Sequence, residues 1–139
     1  MAIEDHTQEH ERPFNPEKDI FVFGSNEEGR HYAGAAKFAQ DNCGAEAGVG
    51  IGPTGRSYAI PTMNGFPKLR EEVKCFIEYA SERPNQSFFV TRVGCGLAGY
   101  QDNAIAPLFI DAPTNCLLPL GWRDLAQLRQ GLPPSPKVY

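Results

Sequence analysis

The chain has 139 residues, 41% of them hydrophobic and 22% charged, values near those of ordinary globular domains, which excludes a disordered tract and leaves room for one core rather than two. With 17 acidic against 13 basic residues and a net charge of −4, the chain is unsuited to gripping the many phosphates of an extended nucleic acid. A single nucleotide remains open, because one diphosphate can be held by backbone N–H groups without any basic patch.

No stretch approaches the roughly 20 apolar residues of a membrane span, and Met1 to Glu11 is acidic and polar, unlike a secretory signal. The expectation is a cytoplasmic protein with no membrane partner. Cys43, Cys75, Cys95 and Cys116 form no C-x-x-C pair and have no neighbouring histidine, so free, buried thiols are expected, with no metal and no cofactor.

Residues 1–18 are rich in Glu, Gln, His and Pro without period and are expected to form a mobile or loosely docked arm. The domain then covers residues 19–130. Ile20 to Phe23 is a continuous apolar run closed by Gly24, as in a strand covered on both faces. Ala33 to Asn42 places Ala35, Ala36, Phe38 and Ala39 on one side and reads as a short helix. Glycines 44, 48, 50, 52 and 55 make the next segment a long loop or an irregular hairpin.

Ser57 to Thr62 reads as a second strand ending at Pro61. Leu69, Val73, Phe76, Ile77 and Ala80 recur at i, i+4, i+7, i+8 and i+11, spacing that only a helix puts on one face. Phe88 to Val93 is the third strand. A helix opened by Gln101 or Asp102 follows, with Ile105, Leu108 and Phe109 inward and Pro107 in its first turns. Asn115 to Pro119 is a fourth strand, Trp122 to Arg129 a last helix, and residues 131–139 a proline-rich tail. This β-α alternation predicts an α/β fold of three layers, α/β/α, around a mainly parallel sheet.

In such a fold every β-to-α loop reaches one edge of the sheet, where ligands bind. Those loops are residues 24–32, 63–68 and 94–101. Gly94-Cys95-Gly96-Leu97-Ala98-Gly99-Tyr100 offers backbone N–H groups ahead of a helix, a setting for phosphate, or else is a merely tight turn. Gly24-Ser25-Asn26 leaves the first strand, and the segment from Gly29 through Arg30 and His31 to Gly34 and Ala35 enters the first helix.

Asn26 could serve ribose hydroxyls and Arg30 a phosphate, or either could only tie down the loop. His31, the one histidine placed inside the domain, is a candidate for phosphate contact or proton transfer, or a plain loop residue. Arg92 is a phosphate clamp or the partner of a carboxylate such as Asp102. Tyr100 stacks on a base or ribose, or caps the core.

The order Phe23-Gly24-Ser25-Asn26, Gly34-Ala35-Ala36-Lys37 and Gly94-Cys95-Gly96-Leu97-Ala98-Gly99 resembles macrodomains, above all the branch with the terminal ADP-ribose protein glycohydrolases and a set of small bacterial and phage proteins. The resemblance runs from about Ile20 to Trp122. It implies a macrodomain-like fold, and ADP-ribose or a derived nucleotide, a cyclic signalling form included, bound through the loops at residues 24–35 and 92–100. The lysine and aspartate that the glycohydrolases use align here with Met63 and Ala98, so the resemblance implies a binder rather than an enzyme, such as a protein that sequesters a signalling nucleotide. The adenine-gripping aspartate has no counterpart near Gly24-Ser25.

Two other readings stand beside it. One is a hydrolase releasing ADP-ribose from modified protein or nucleic acid, with His31, Lys68, Asp102 or Asn26 as acid–base candidates. The other is an interaction domain whose glycine loops are only structural. A dimer or larger assembly would enclose a shallow edge site more fully.

Overall fold

The computed structural model describes residues 10–31 and 34–129. The chain forms β1 (Asp19–Ser25), α1 (Gly34–Asn42), β2 (Gly52–Thr54), β3 (Ser57–Pro61), α2 (Phe66–Ser81), β4 (Ser87–Val90), α3 (Asp102–Ile105), a 3-10 turn (Ala106–Phe109), β5 (Cys116–Leu117) and α4 (Trp122–Arg129). The five strands make one sheet in the order β2-β3-β1-β4-β5. β1 runs parallel to both β3 and β4, β4 runs parallel to β5, and only β2 is antiparallel, against β3. The protein is therefore an α/β fold on a mixed, mostly parallel sheet. Among the described residues no helix is long and apolar enough to cross a membrane.

Alternation along the central strands sends their side chains into two separate cores. Val22, Tyr58, Ile60, Phe88 and Val90 face one side, where Leu69, Val73 and Phe76 of α2, Ile105, Phe109 and Trp122 complete the larger core. Phe21, Phe23, Ala59 and Phe89 face the other, against Ala39 of α1 and Phe14. Helix α1 thus covers one face of the sheet and α2 with the later helices covers the opposite face. Each crossover requires this if it is right-handed, since β1 leads to β3 in one direction and β3 leads back past β1 to β4 in the other.

Four expectations need correction. Residues from His10 onward are not a loose arm. Phe14 packs edge-on against Phe21 and Phe89, and His10 stacks on Phe89 while its Nε2 hydrogen-bonds the Val90 carbonyl at 2.6 Å. Arg12 holds Asp19, only 1% exposed, by two hydrogen bonds of 2.7 and 2.9 Å. The fold begins about nine residues earlier than its apolar pattern suggests, and residues 1–9 and the tail at 130–139 lie outside the described residues.

Next, the regular alternation of strands and helices is interrupted, because of the two readings of the glycine-rich segment the irregular hairpin holds and it contains the short strand β2. The third strand stops at Val90, three residues early. Thr91 spends both its N–H and its Oγ on the Val22 carbonyl, and a 2.7 Å bond from Val93 N–H to the Thr91 carbonyl turns the chain out of the sheet. Finally, Gln101 precedes only one α-helical turn, α3, before the chain tightens into the 3-10 form at Pro107. The thiols divide as well: Cys43 and Cys116 are buried, Cys95 is half-buried and Cys75 is exposed.

Candidate functional site

The C-terminal ends of β1, β3, β4 and β5 share one edge. At that edge the chain leaves β1 toward one face of the sheet and leaves the adjacent β4 toward the other, the arrangement that in open α/β sheets places a ligand crevice between the two exits. The loops that border it are those after Ser25 and after Val90. A Cβ placed on Gly24 would stand 3.1 Å from the Thr62 side chain and 3.6 Å from the Gly94 nitrogen. The exits of β1, β3 and β4 therefore meet at Gly24, where even a methyl group would press on the Thr62 side chain.

The loop after β4 is braced at its base and open at its tip. Arg92, just before the loop, donates from Nε and Nη2 to the two carboxylate oxygens of Asp102, just after it, at 2.9 and 2.6 Å. Trp122 Nε1 donates to the same Oδ1 at 2.7 Å, and the Cys95 thiol lies 3.8 Å from it. The Arg92 hydrogen bonds, against the opposing effect of burial, hold the Asp102 carboxyl below its ordinary range.

Within the loop, Tyr100 N–H bonds the Gly94 carbonyl and Gly99 N–H the Gly96 carbonyl. The successive N–H groups of Gly96, Leu97 and Ala98 make no hydrogen bond among the described residues. Leu97 at the tip is 92% exposed. Such a run of unspent donors is the chemistry that receives an anion oxygen.

The loop after β1 is closed on itself. Asn26 Oδ1 accepts from Arg30 N–H and its Nδ2 donates to the Arg30 carbonyl, both at 3.0 Å. Behind it the glycine-rich segment approaches closely: Gly48 N–H bonds the Gly29 carbonyl, and a Cβ on Gly50 would fall 1.7 Å from the Asn26 carbonyl oxygen. Gly34, with φ 61°, opens α1, and Ala35 and Ala36 lie partly buried against the second core.

The candidate residues now separate. Asn26 is the loop's own clasp. Arg30 is exposed, 3.7 Å from Glu28. Arg92 and Asp102 are each other's partners. Lys68 stands 2.9 Å from Glu72 and 3.9 Å from Glu27, and its hydrogen bond and attraction to Glu72 raise its pKa, the wrong direction for a proton-accepting amine. Tyr100 packs edge-on against Phe66, with ring centres 5.5 Å apart. The expected helix end behind Gly99 is a single turn whose first residue is the paired Asp102, so donors in this loop act without a helix dipole of any length.

His31 is 3% exposed and lies inside, not on the loop surface. Its Nε2 is 3.2 Å from Ser25 Oγ, which is itself 3.3 Å from the Asn26 carbonyl, and its ring meets Phe23 edge-on. His10 is a buried histidine that the sequence pattern does not reveal; no periodicity surrounds it, and its stacking on Phe89 and hydrogen bond to the Val90 carbonyl tie it into the domain. Among the described residues no group of three or more His, Cys, Asp and Glu side chains is placed to hold a metal ion. No family model, no curated protein and no solved structure matches the chain.

Proposed function

We propose that the chain binds ADP-ribose or a nucleotide derived from it, with the diphosphate in the crevice between the loops after β1 and β4, and that it acts by holding this ligand rather than by cleaving it. The observation that carries the reading is the run of unspent N–H donors at Gly96, Leu97 and Ala98, set beside the exits of β1 and β4, neighbouring strands whose connections leave to opposite faces and in opposite directions along the sheet. Gly34 and Ala35, at the start of the nine-residue α1, supply a second set of donors with a helix dipole behind them. The resemblance to macrodomains, with Gly94-Cys95-Gly96-Leu97 in the place of their phosphate loop, names the nucleotide and the finer fold.

Binding is favoured over hydrolysis because each acid–base candidate is already engaged: His31 is enclosed, Lys68 is ion-paired, Asp102 is gripped by Arg92 and Trp122, and Asn26 clasps the Arg30 backbone. Calorimetric titration of the chain with ADP-ribose and with its cyclic forms tests the reading. Saturable binding of at least one of them is expected, and heats of dilution alone from all of them would defeat it.

A further inference from the structure

The loop after β1 rests on a buried imidazole. From His31 a short hydrogen-bonded chain runs through Ser25 Oγ to the carbonyl of Asn26, the residue whose side chain closes the loop. The other ring nitrogen, Nδ1, is buried and makes no hydrogen bond among the described residues. With Nε2 donating to Ser25 and the Ser25 hydroxyl donating onward, the neutral ring fits its surroundings. A proton added at Nδ1 would place a charge in that buried setting.

We propose that His31 is a proton-operated latch on the loop at residues 26–31, closed while the ring is neutral and released when Nδ1 gains a proton. The latch rests on the proposed function only for its effect on a ligand; the opening of the loop does not depend on that reading.

Among the described residues no charge offsets the added proton. On the loop itself, Glu28 and Arg30 face each other and Glu27 reaches toward Lys68. On α1, Lys37 and Asp41 are paired at 2.7 Å. None of these acts on the ring, nor do Glu46 and Arg56 in the segment behind the loop. Burial lowers the pKa of His31 below 6.5, and the Gln40 side chain on α1, which favours the protonated ring, offsets only part of that. The closed state therefore excludes a proton that the open state accepts, so acidification opens the latch.

Amide hydrogen exchange of the full chain, measured as protection factors between pH 7.5 and 5.5, tests this alongside ADP-ribose titrations over the same range. Protection of Gly29 and Arg30, whose N–H groups bond to Asn26, is expected to fall by up to about tenfold per pH unit below 6.5, with ADP-ribose affinity falling in the same window. In His31→Gln both are expected to lose that pH dependence. Unchanged protection in the native chain, or a dependence that persists in His31→Gln, overturns the latch.

If His31→Gln does not fold, NMR titration of the native His31 ring decides: a midpoint below 6.5 supports the latch and one at or above it overturns it. If ADP-ribose binds at no pH, the functional reading fails and exchange alone judges the latch.

Discussion

Two glycines on the same edge of the sheet are there for opposite reasons. At Gly50 a Cβ would collide with the Asn26 carbonyl at 1.7 Å, whereas at Gly96 it would meet nothing within 4 Å, and neither has a positive φ. Gly50→Ala is expected to destabilise the fold by about 3 kcal/mol, the upper range for overpacking, as a lowered chemical denaturation midpoint. Gly96→Val is expected to leave stability within about 0.5 kcal/mol, as at an open surface position, yet to weaken ADP-ribose at least tenfold by setting a branched side chain over the donors. A purely structural role for the loop would instead make its effects on binding and stability track each other.

Residue types were a fair guide to which positions matter at this scale and a poor one to what they do. Asn26, Arg92 and Asp102 each sit where the loop chemistry required a polar group, but their partners are fixed by tertiary approach, which spacing along the chain does not encode. His31 likewise falls in the right loop, and its burial beneath it follows from the fold of residues 24–31 rather than from any periodicity.

At the scale of elements, the apolar pattern located β1, α1, β3, α2 and α4 because each buries a regular face. It misplaced what does not. β2 is three residues of Gly, Pro and Thr with no apolar signal, and β4 is cut short by the hydrogen bonds of Thr91. The segment from His10 to Lys18 is irregular, so its anchoring by Arg12, His10 and Phe14 has no period to read. Phe14→Ala is expected to cost about 3 kcal/mol, as for a buried aromatic, which a loosely docked segment would not show in thermal or denaturant unfolding.

Arg12→Ala is expected to cost about 2 kcal/mol, the order of the charge-assisted bonds it makes to Asp19. Burial alone would raise the Asp19 pKa, but the Arg12, Asn15 and Ser87 hydrogen bonds outweigh it and the net shift is downward from 3.8. The clamp is thus fully present above about pH 3.8 and is lost as pH falls through the lower folded-state value. Acid unfolding curves of the native chain and Arg12→Ala should converge below that range.

For the molecule as a whole, the sheet order puts the divergence of the chain between β1 and β4, and everything proposed about the ligand depends on that place. Its strands come from different thirds of the sequence, yet each carries its glycine-bearing loop to the same crevice. The most direct measurement is backbone amide NMR during titration with ADP-ribose. The account predicts that the Gly96, Leu97 and Ala98 N–H resonances move together toward the hydrogen-bonded range as the ligand saturates, with Gly34 and Ala35 following. Saturation that leaves those three amides unmoved would contradict it.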